Sequence, residues 1–109
     1  MIFKLIKIIY LVLFLILFSL NINTLKADSK MEMGLDVYNN KAMCGSCHIL
    51  STTGSTGKIG PNLDDIKPQI SQIILAVTNG IGVMPAFEGM LTSEEIEAVA
   101  YFVSTSSNK

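Results

Sequence analysis

The only two cysteines and the only histidine of this 109-residue chain fall within five consecutive positions, Cys44-Gly45-Ser46-Cys47-His48. Few folds can be built around such a concentration of reactive groups. A redox-active Cys-x-x-Cys of the thioredoxin kind belongs to a βαβ setting, and no stretch of this chain alternates convincingly with a period of two. A structural zinc site takes four ligands, and nothing here resembles a second ligand pair. A plain disulfide leaves the adjacent histidine without a part. The pattern Cys-x-x-Cys-His reads instead as covalent attachment of a c-type haem. Cys44 and Cys47 would each add to one vinyl group, and His48 would lie beneath the ring to bind iron axially. Covalent attachment also retains a cofactor in a chain too small to trap it by burial alone.

The front of the chain is a different kind of sequence. Residues 1–27 hold 20 hydrophobic residues, against 34 in the whole of 28–109. Lys4 and Lys7 precede the run from Ile8 to Leu20, and Asn21, Asn23 and Thr24 lead out of it. This is the charge and length pattern of a secretory signal peptide, with Ala27 as its last residue, although Leu25 stands where a small residue is preferred. A bilayer-spanning helix needs about 20 apolar residues. The alternative is therefore an uncleaved leader that tethers the protein to the membrane through residues 8–25. The expected division is a leader at 1–27 and a domain at 28–109 that works outside the cytoplasm, in the periplasm. That domain carries five lysines against nine acids, a net of −4, and the chain has no arginine. Nucleic acid is excluded as a partner, because phosphate binding needs clustered positive charge.

Three helices are expected after residue 28. The first, near 31–42, has Met33 and Val37 four apart, with Leu35 and Tyr38 beside them, and Gly34 inside it at a cost of roughly 1 kcal/mol. The second, over 68–79, starts at Pro68, places Ile70, Ile73, Ile74 and Val77 on one face, and stops at Asn79-Gly80. The third opens on the capping box Thr92-Ser-Glu-Glu95 and carries Ile96, Val99, Ala100 and Val103 as its apolar stripe. Its polar end, Ser104 to Lys109, is expected to fray. Residues 51–60 have no period and read as a loop.

A haem that transfers electrons takes a methionine opposite its histidine. Five methionines follow the first residue: Met31, Met33, Met43, Met84 and Met90. Met31, Met33 and Met43 belong to the attachment side. Met84 lies in Gly80-Ile-Gly82-Val-Met84-Pro85, where the glycines allow tight turns and the proline stiffens the exit. It is the preferred distal ligand, with Met90 as the competitor. A ligating imidazole donates its other N–H to an acceptor that fixes the ring plane. The segment Gly60-Pro61-Asn62-Leu63, returning after a polar loop, is placed to supply a carbonyl.

Together these segments resemble class I cytochrome c in its small bacterial monohaem form, over residues 34 to 103. The resemblance rests on the attachment motif, the Gly60–Leu63 and Met84-Pro85 segments, and the capped last helix with Tyr101. It implies an all-α fold of three to four short helices and long loops around one haem c, preceded by the apolar leader helix. It implies thioether bonds at Cys44 and Cys47, iron ligation by His48 and Met84, and a hydrogen bond from His48 to the Pro61 carbonyl. Gly34 and Tyr38 would cross the last helix near Tyr101. With no Arg or Trp in the chain, Lys58, a tyrosine or solvent would hold the haem propionates.

The implied activity is one-electron transfer, not enzymatic catalysis. The implied partners are redox proteins, namely a dehydrogenase or quinol-oxidising complex as donor and an oxidase as acceptor. Val83, Ala86 and Phe87 are the expected rim of the exposed haem edge. The alternative is the electron-accepting subunit of an exported dehydrogenase complex, for example a sulfite dehydrogenase. A gas-binding haem with an open sixth position is disfavoured by Met84.

Overall fold

The computed structural model describes residues 1–109. Helix α1 runs without interruption over Ile2–Asp36, about 50 Å at 1.5 Å per residue. The polar residues leading out of the leader do not break it. Ser19, Asn21 and Thr24 turn their side chains back onto the carbonyls of Leu15, Leu17 and Leu20, each four residues earlier. These hydroxyls and amide therefore add hydrogen bonds to the helix and leave its backbone ladder intact. The apolar residues from Ile2 to Leu25 are exposed on every side, and nothing in the rest of the chain covers them.

From Met31 onward the same helix becomes part of the domain. Gly34 is buried against α4, which spans Ser93–Ser107. A Cβ added at Gly34 would lie 2.3 Å from the Ala98 carbonyl oxygen and 2.5 Å from the Phe102 Cβ. Only glycine lets the two backbones approach this closely, which explains the unfavourable residue inside the helix. One turn later the Tyr38 and Phe102 rings meet at 5.8 Å between centroids, tilted by 59°. The crossing thus forms at Ala98 and Phe102. Tyr101 faces Lys30 instead, whose ammonium lies 5.6 Å from its ring centre.

Helix α1 gives way to one wide π turn over Val37–Lys41, closed by the Ala42 N–H donating to the Val37 carbonyl at 2.9 Å. Val37 and Tyr38 are fully buried there. Lys41, at the end of the turn, pairs with Glu95 of α4. Glu95 also accepts from the Thr92 N–H, while the Thr92 hydroxyl accepts from the Glu95 N–H. The expected capping box therefore also fastens α4 to the end of the π turn.

The stretch 51–60, expected to be a loop, contributes one strand of a two-residue antiparallel ladder. Strand β1, Ile49–Leu50, pairs with β2, Ser55–Thr56, across a 3₁₀ turn at Ser51–Thr53 and a left-handed Gly54. Two residues per strand are too few for any alternation to show in the sequence. A short helix α2, Leu63–Ile66, follows, with the Asn62 side chain accepting from the Asp64 N–H at 2.9 Å. Helix α3, Ile70–Asn79, starts two residues later than the proline suggested. Gln69 and Gln72 form its capping box, and Pro68 is buried ahead of it. It stops at Gly80, as expected.

Helix α4 does not fray at Ser104 but continues to Ser107, with Ser106 and Ser107 buried. The Asn108 side chain closes it by donating to the Ser104 carbonyl at 2.7 Å. One core joins all of this: Val37 and Tyr38, Leu50, Leu63, Ile73 and Val77, Phe87 and Leu91, and the inner face of α4 from Ile96 to Val103.

Replacing Gly34 with alanine should destabilise the protein by about 1–3 kcal/mol, read as a lower denaturant midpoint with unchanged slope. The Glu95 carboxyl is held below its ordinary range, first by the hydrogen bond from Lys41 and then by that from the Thr92 backbone. A lowered folded-state value means stability that is present above the ordinary glutamate range and lost as pH falls through the folded value. Glu95→Gln should therefore flatten the acid limb of the melting-temperature profile below that range.

Candidate functional site

The attachment motif opens on backbone strain. Met43 is left-handed, with φ of 51°, a conformation that a non-glycine residue adopts at a cost. It turns the chain out of the π turn and into a 3₁₀ turn at Cys44–Ser46. The Cys47 and His48 N–H groups both donate to the Cys44 carbonyl, at 3.1 and 3.0 Å. The Ser46 hydroxyl donates back to the Met43 carbonyl at 2.7 Å. Both thiols are free and partly buried. Burial pushes the Cys44 thiol up to about 11, so it stays protonated at neutral pH. Cys44 and Met84 both pack against the edge of the core.

The returning segment lies flat against this turn. The Gly57 N–H donates to the Gly45 carbonyl at 3.2 Å and the Gly60 N–H to the Cys47 carbonyl at 2.7 Å. A Cβ added at Gly60 would fall 2.5 Å from His48 Cε1 and 2.8 Å from Nδ1, so the Gly60 backbone lies against the imidazole. His48 Nδ1 is 2.7 Å from the Pro61 carbonyl oxygen. A carbonyl only accepts, so Nδ1 carries the proton and donates, and Nε2 is left as the unprotonated nitrogen with its lone pair available.

Further along the chain, Met84 ends a tight turn. Ile81 and Met84 exchange both backbone hydrogen bonds, at 3.1 and 2.9 Å, around a left-handed Gly82. Gly80 is also left-handed, and a Cβ there would meet the Met84 oxygen at 2.6 Å. The loop is tied to α3 by the Phe87 N–H donating to the Val77 carbonyl at 2.8 Å. Met84 is half-buried against the core, whereas Met90 is 70 % exposed. Of the expected rim residues, Val83 and Ala86 are exposed but Phe87 is buried in the core. Tyr38 and Tyr101 are also engaged elsewhere, with Ser55 and Lys30. Among the groups proposed for the propionates, these two tyrosines are therefore committed to other contacts, and Lys58 is exposed. Sequence reasoning did not foresee the parts of Ser55 and Gly57 or the contact of Gly60 with the imidazole. All three lie in or beside a stretch whose small residues carry no periodic signal.

The donor set suits a haem attached through thioethers: two free thiols on one turn, an imidazole whose second nitrogen is already bonded, and a soft thioether on a separate loop that packs on the same core. A family model described as cytochrome C oxidase, cbb3-type, subunit III, matches residues 29–103. The chain belongs to this cytochrome c family. Two curated relatives are cytochromes c6. That of Microcystis aeruginosa is 36 % identical over 72 residues, which is 62 % of this chain and 89 % of the relative. That of Leptolyngbya boryana is 34 % identical over 72 residues, covering 62 % and 85 %. The crystal structure of the c-type cytochrome SorU from Sinorhizobium meliloti superposes with a TM-score of 0.71 at 45 % identity, covering 75 % of this chain and 95 % of that one.

This cytochrome is thus a small class I monohaem protein. It carries covalent haem c, moves electrons without itself being an enzyme, and has redox proteins as partners. Its mostly helical fold and long apolar first helix agree with the architecture expected from sequence.

Gly60→Ala should force the imidazole and the loop apart. The expected result is about 1–3 kcal/mol of destabilisation together with a changed electron paramagnetic resonance spectrum of the ferric protein.

Proposed function

We propose that this cytochrome is an exported one-electron carrier in which Cys44 and Cys47 hold the haem, His48 binds iron through Nε2, and Met84 supplies the opposite ligand. The observation that carries this reading is the bond from His48 Nδ1 to the Pro61 carbonyl. It fixes the tautomer and the ring plane, and it leaves Nε2 as the only imidazole nitrogen able to bind a metal. When bound, the haem supplies a one-electron iron couple. The chain's part is to hold two ligands that suit both oxidation states, so that little reorganises on transfer. The Ile81–Met84 turn fixes the Met84 backbone, and its thioether, a soft donor, favours the ferrous state and raises the potential. Met84 is preferred over Met90 because it packs against the core while Met90 points to solvent.

The donor in this reading is a dehydrogenase or quinol-oxidising complex, and the acceptor is an oxidase. Transfer would pass through an apolar rim that includes Val83, which is 86 % exposed, and Ala86. Electron-transfer encounters are small and weak, which suits a carrier that must release its partner. Residues 1–27 are read as the signal peptide and 28–109 as the periplasmic domain. The family match beginning at residue 29 supports that boundary, and the apolar helix near the N-terminus is compatible with a signal peptide.

Met84→Ala should remove the near-infrared sulfur-to-iron band of the ferric protein, lower the potential and let carbon monoxide bind the reduced form. Retention of the band would assign the ligand to another methionine. Stoichiometric co-purification with a catalytic subunit would replace the mobile carrier by a fixed one.

A further inference from the structure

The segment from Ser55 to Pro61 runs beside the attachment turn with almost no side chain between them. Ser55 packs on Gly45, where an added Cβ would lie 2.7 Å from the Ser55 Cβ. Gly57 packs on the Ser46–Cys47 backbone, Gly60 on the His48 ring, and Pro61 accepts from His48 Nδ1. Glycine contacts offer no side chain to interlock, so the register of this segment rests on the Gly57–Gly45 and Gly60–Cys47 backbone bonds and on what holds its two ends. The far end is Asn62, capping α2. The near end is Ser55.

Ser55 Oγ is a hub. It lies 2.9 Å from the Tyr38 hydroxyl, 3.0 Å from the Leu50 nitrogen and 2.9 Å from the Thr53 hydroxyl. Thr53 Oγ1 is in turn 2.8 Å from the Leu50 carbonyl oxygen. Two directions are set by groups that have no choice: the Leu50 carbonyl accepts from Thr53, and the Leu50 N–H donates to Ser55. The Thr53 hydroxyl also lies in donating geometry to Ser55 Oγ, which itself can donate to the Leu50 carbonyl at 3.5 Å, and the Tyr38 and Ser55 hydroxyls bond with either as donor. Burial pushes the Tyr38 phenol up, so it keeps its proton.

We propose that Ser55, held by Tyr38, is a positioning residue: it sets the register of residues 55–61 against the attachment turn and thereby the strength of the hydrogen bond that His48 donates to Pro61. The inference rests on the reading of His48 as the iron ligand. A firm Nδ1–H bond makes the imidazole a more basic ligand, which favours ferric iron. Loosening the register favours ferrous iron.

The test uses the full-length, haem-loaded protein. Ser55→Ala removes the hub, and Tyr38→Phe removes only the phenol hydroxyl while keeping the ring against Phe102. At a fixed applied potential the ferrous-to-ferric ratio should rise about threefold in Ser55→Ala and less in Tyr38→Phe. Solvent exchange of the His48 Nδ1 proton, read by nuclear magnetic resonance, should quicken about tenfold in Ser55→Ala. Asn108→Ala, which removes the closing hydrogen bond at the end of α4 without changing charge, should move neither reading. An unchanged ratio and exchange rate in both hydroxyl variants would overturn the proposal. If Ser55→Ala does not load haem, the same two readings on Tyr38→Phe decide. A failure of the ligand reading is separable: His48 ring protons of the ferrous wild-type protein would then lack the large upfield shift of a ring held under a porphyrin.

Discussion

The close approach of α1 and α4 at Gly34 is the contact on which the rest of the domain hangs. Without a Cβ at that position the α1 backbone comes into direct contact with the Ala98 carbonyl, and Tyr38 is carried onto Phe102 one turn further along. The π turn that follows is short, but it delivers the chain to Met43 and the attachment motif, and its last residue, Lys41, is fastened to Glu95. The position of the two thiols is thus set from the helix crossing outward. A domain of this size has little apolar area with which to specify one arrangement. A glycine contact, a tilted ring pair and one ion pair tied into a capping box are economical ways to do so.

The site itself is assembled from backbone more than from side chains. Gly57 and Gly60 let one strand of chain lie directly on another, and the Pro61 carbonyl meets the imidazole at 2.7 Å. The Met84 loop uses the same device, with Gly80 and Gly82 bending the chain so that Met84 is presented from a turn closed by two backbone hydrogen bonds. A redox centre gains from such construction. Backbone held by its own hydrogen bonds has few rotamers to rearrange when the charge on the iron changes, and the Tyr38, Thr53 and Ser55 hydroxyls beside it bond one another and the Leu50 backbone.

Much of this was legible in residue order alone. The clustering of Cys44, Cys47 and His48 identifies the cofactor because the chemistry needs those groups at that spacing. Thr92 and Glu95 announce the start of α4 because a capping box is local, and Asn79-Gly80 announces the end of α3 for the same reason. The proline at 68 misled by two residues: Gln69 and Gln72 form the cap, a pairing whose weaker preference is invisible until both side chains are seen to bond. The serines at 106 and 107 read as a polar tail, yet they are buried in the last turn of α4. Their hydroxyls are small, and no buried side-chain polar atom is left without a partner.

What the sequence determined by itself was the chemistry, which cofactor this cytochrome carries, together with the start of α4 and the end of α3, since these depend on groups a few residues apart. What only the tertiary structure decided was register: that α1 and the leader form one helix, that Phe102 and not Tyr101 meets Tyr38, that Phe87 is core and not rim, and that Ser55 stands between the helix crossing and the imidazole. Those outcomes depend on contacts between segments 17 to 68 residues apart, where a shift of one residue turns a side chain away. No pattern within a single segment records which neighbour it will meet.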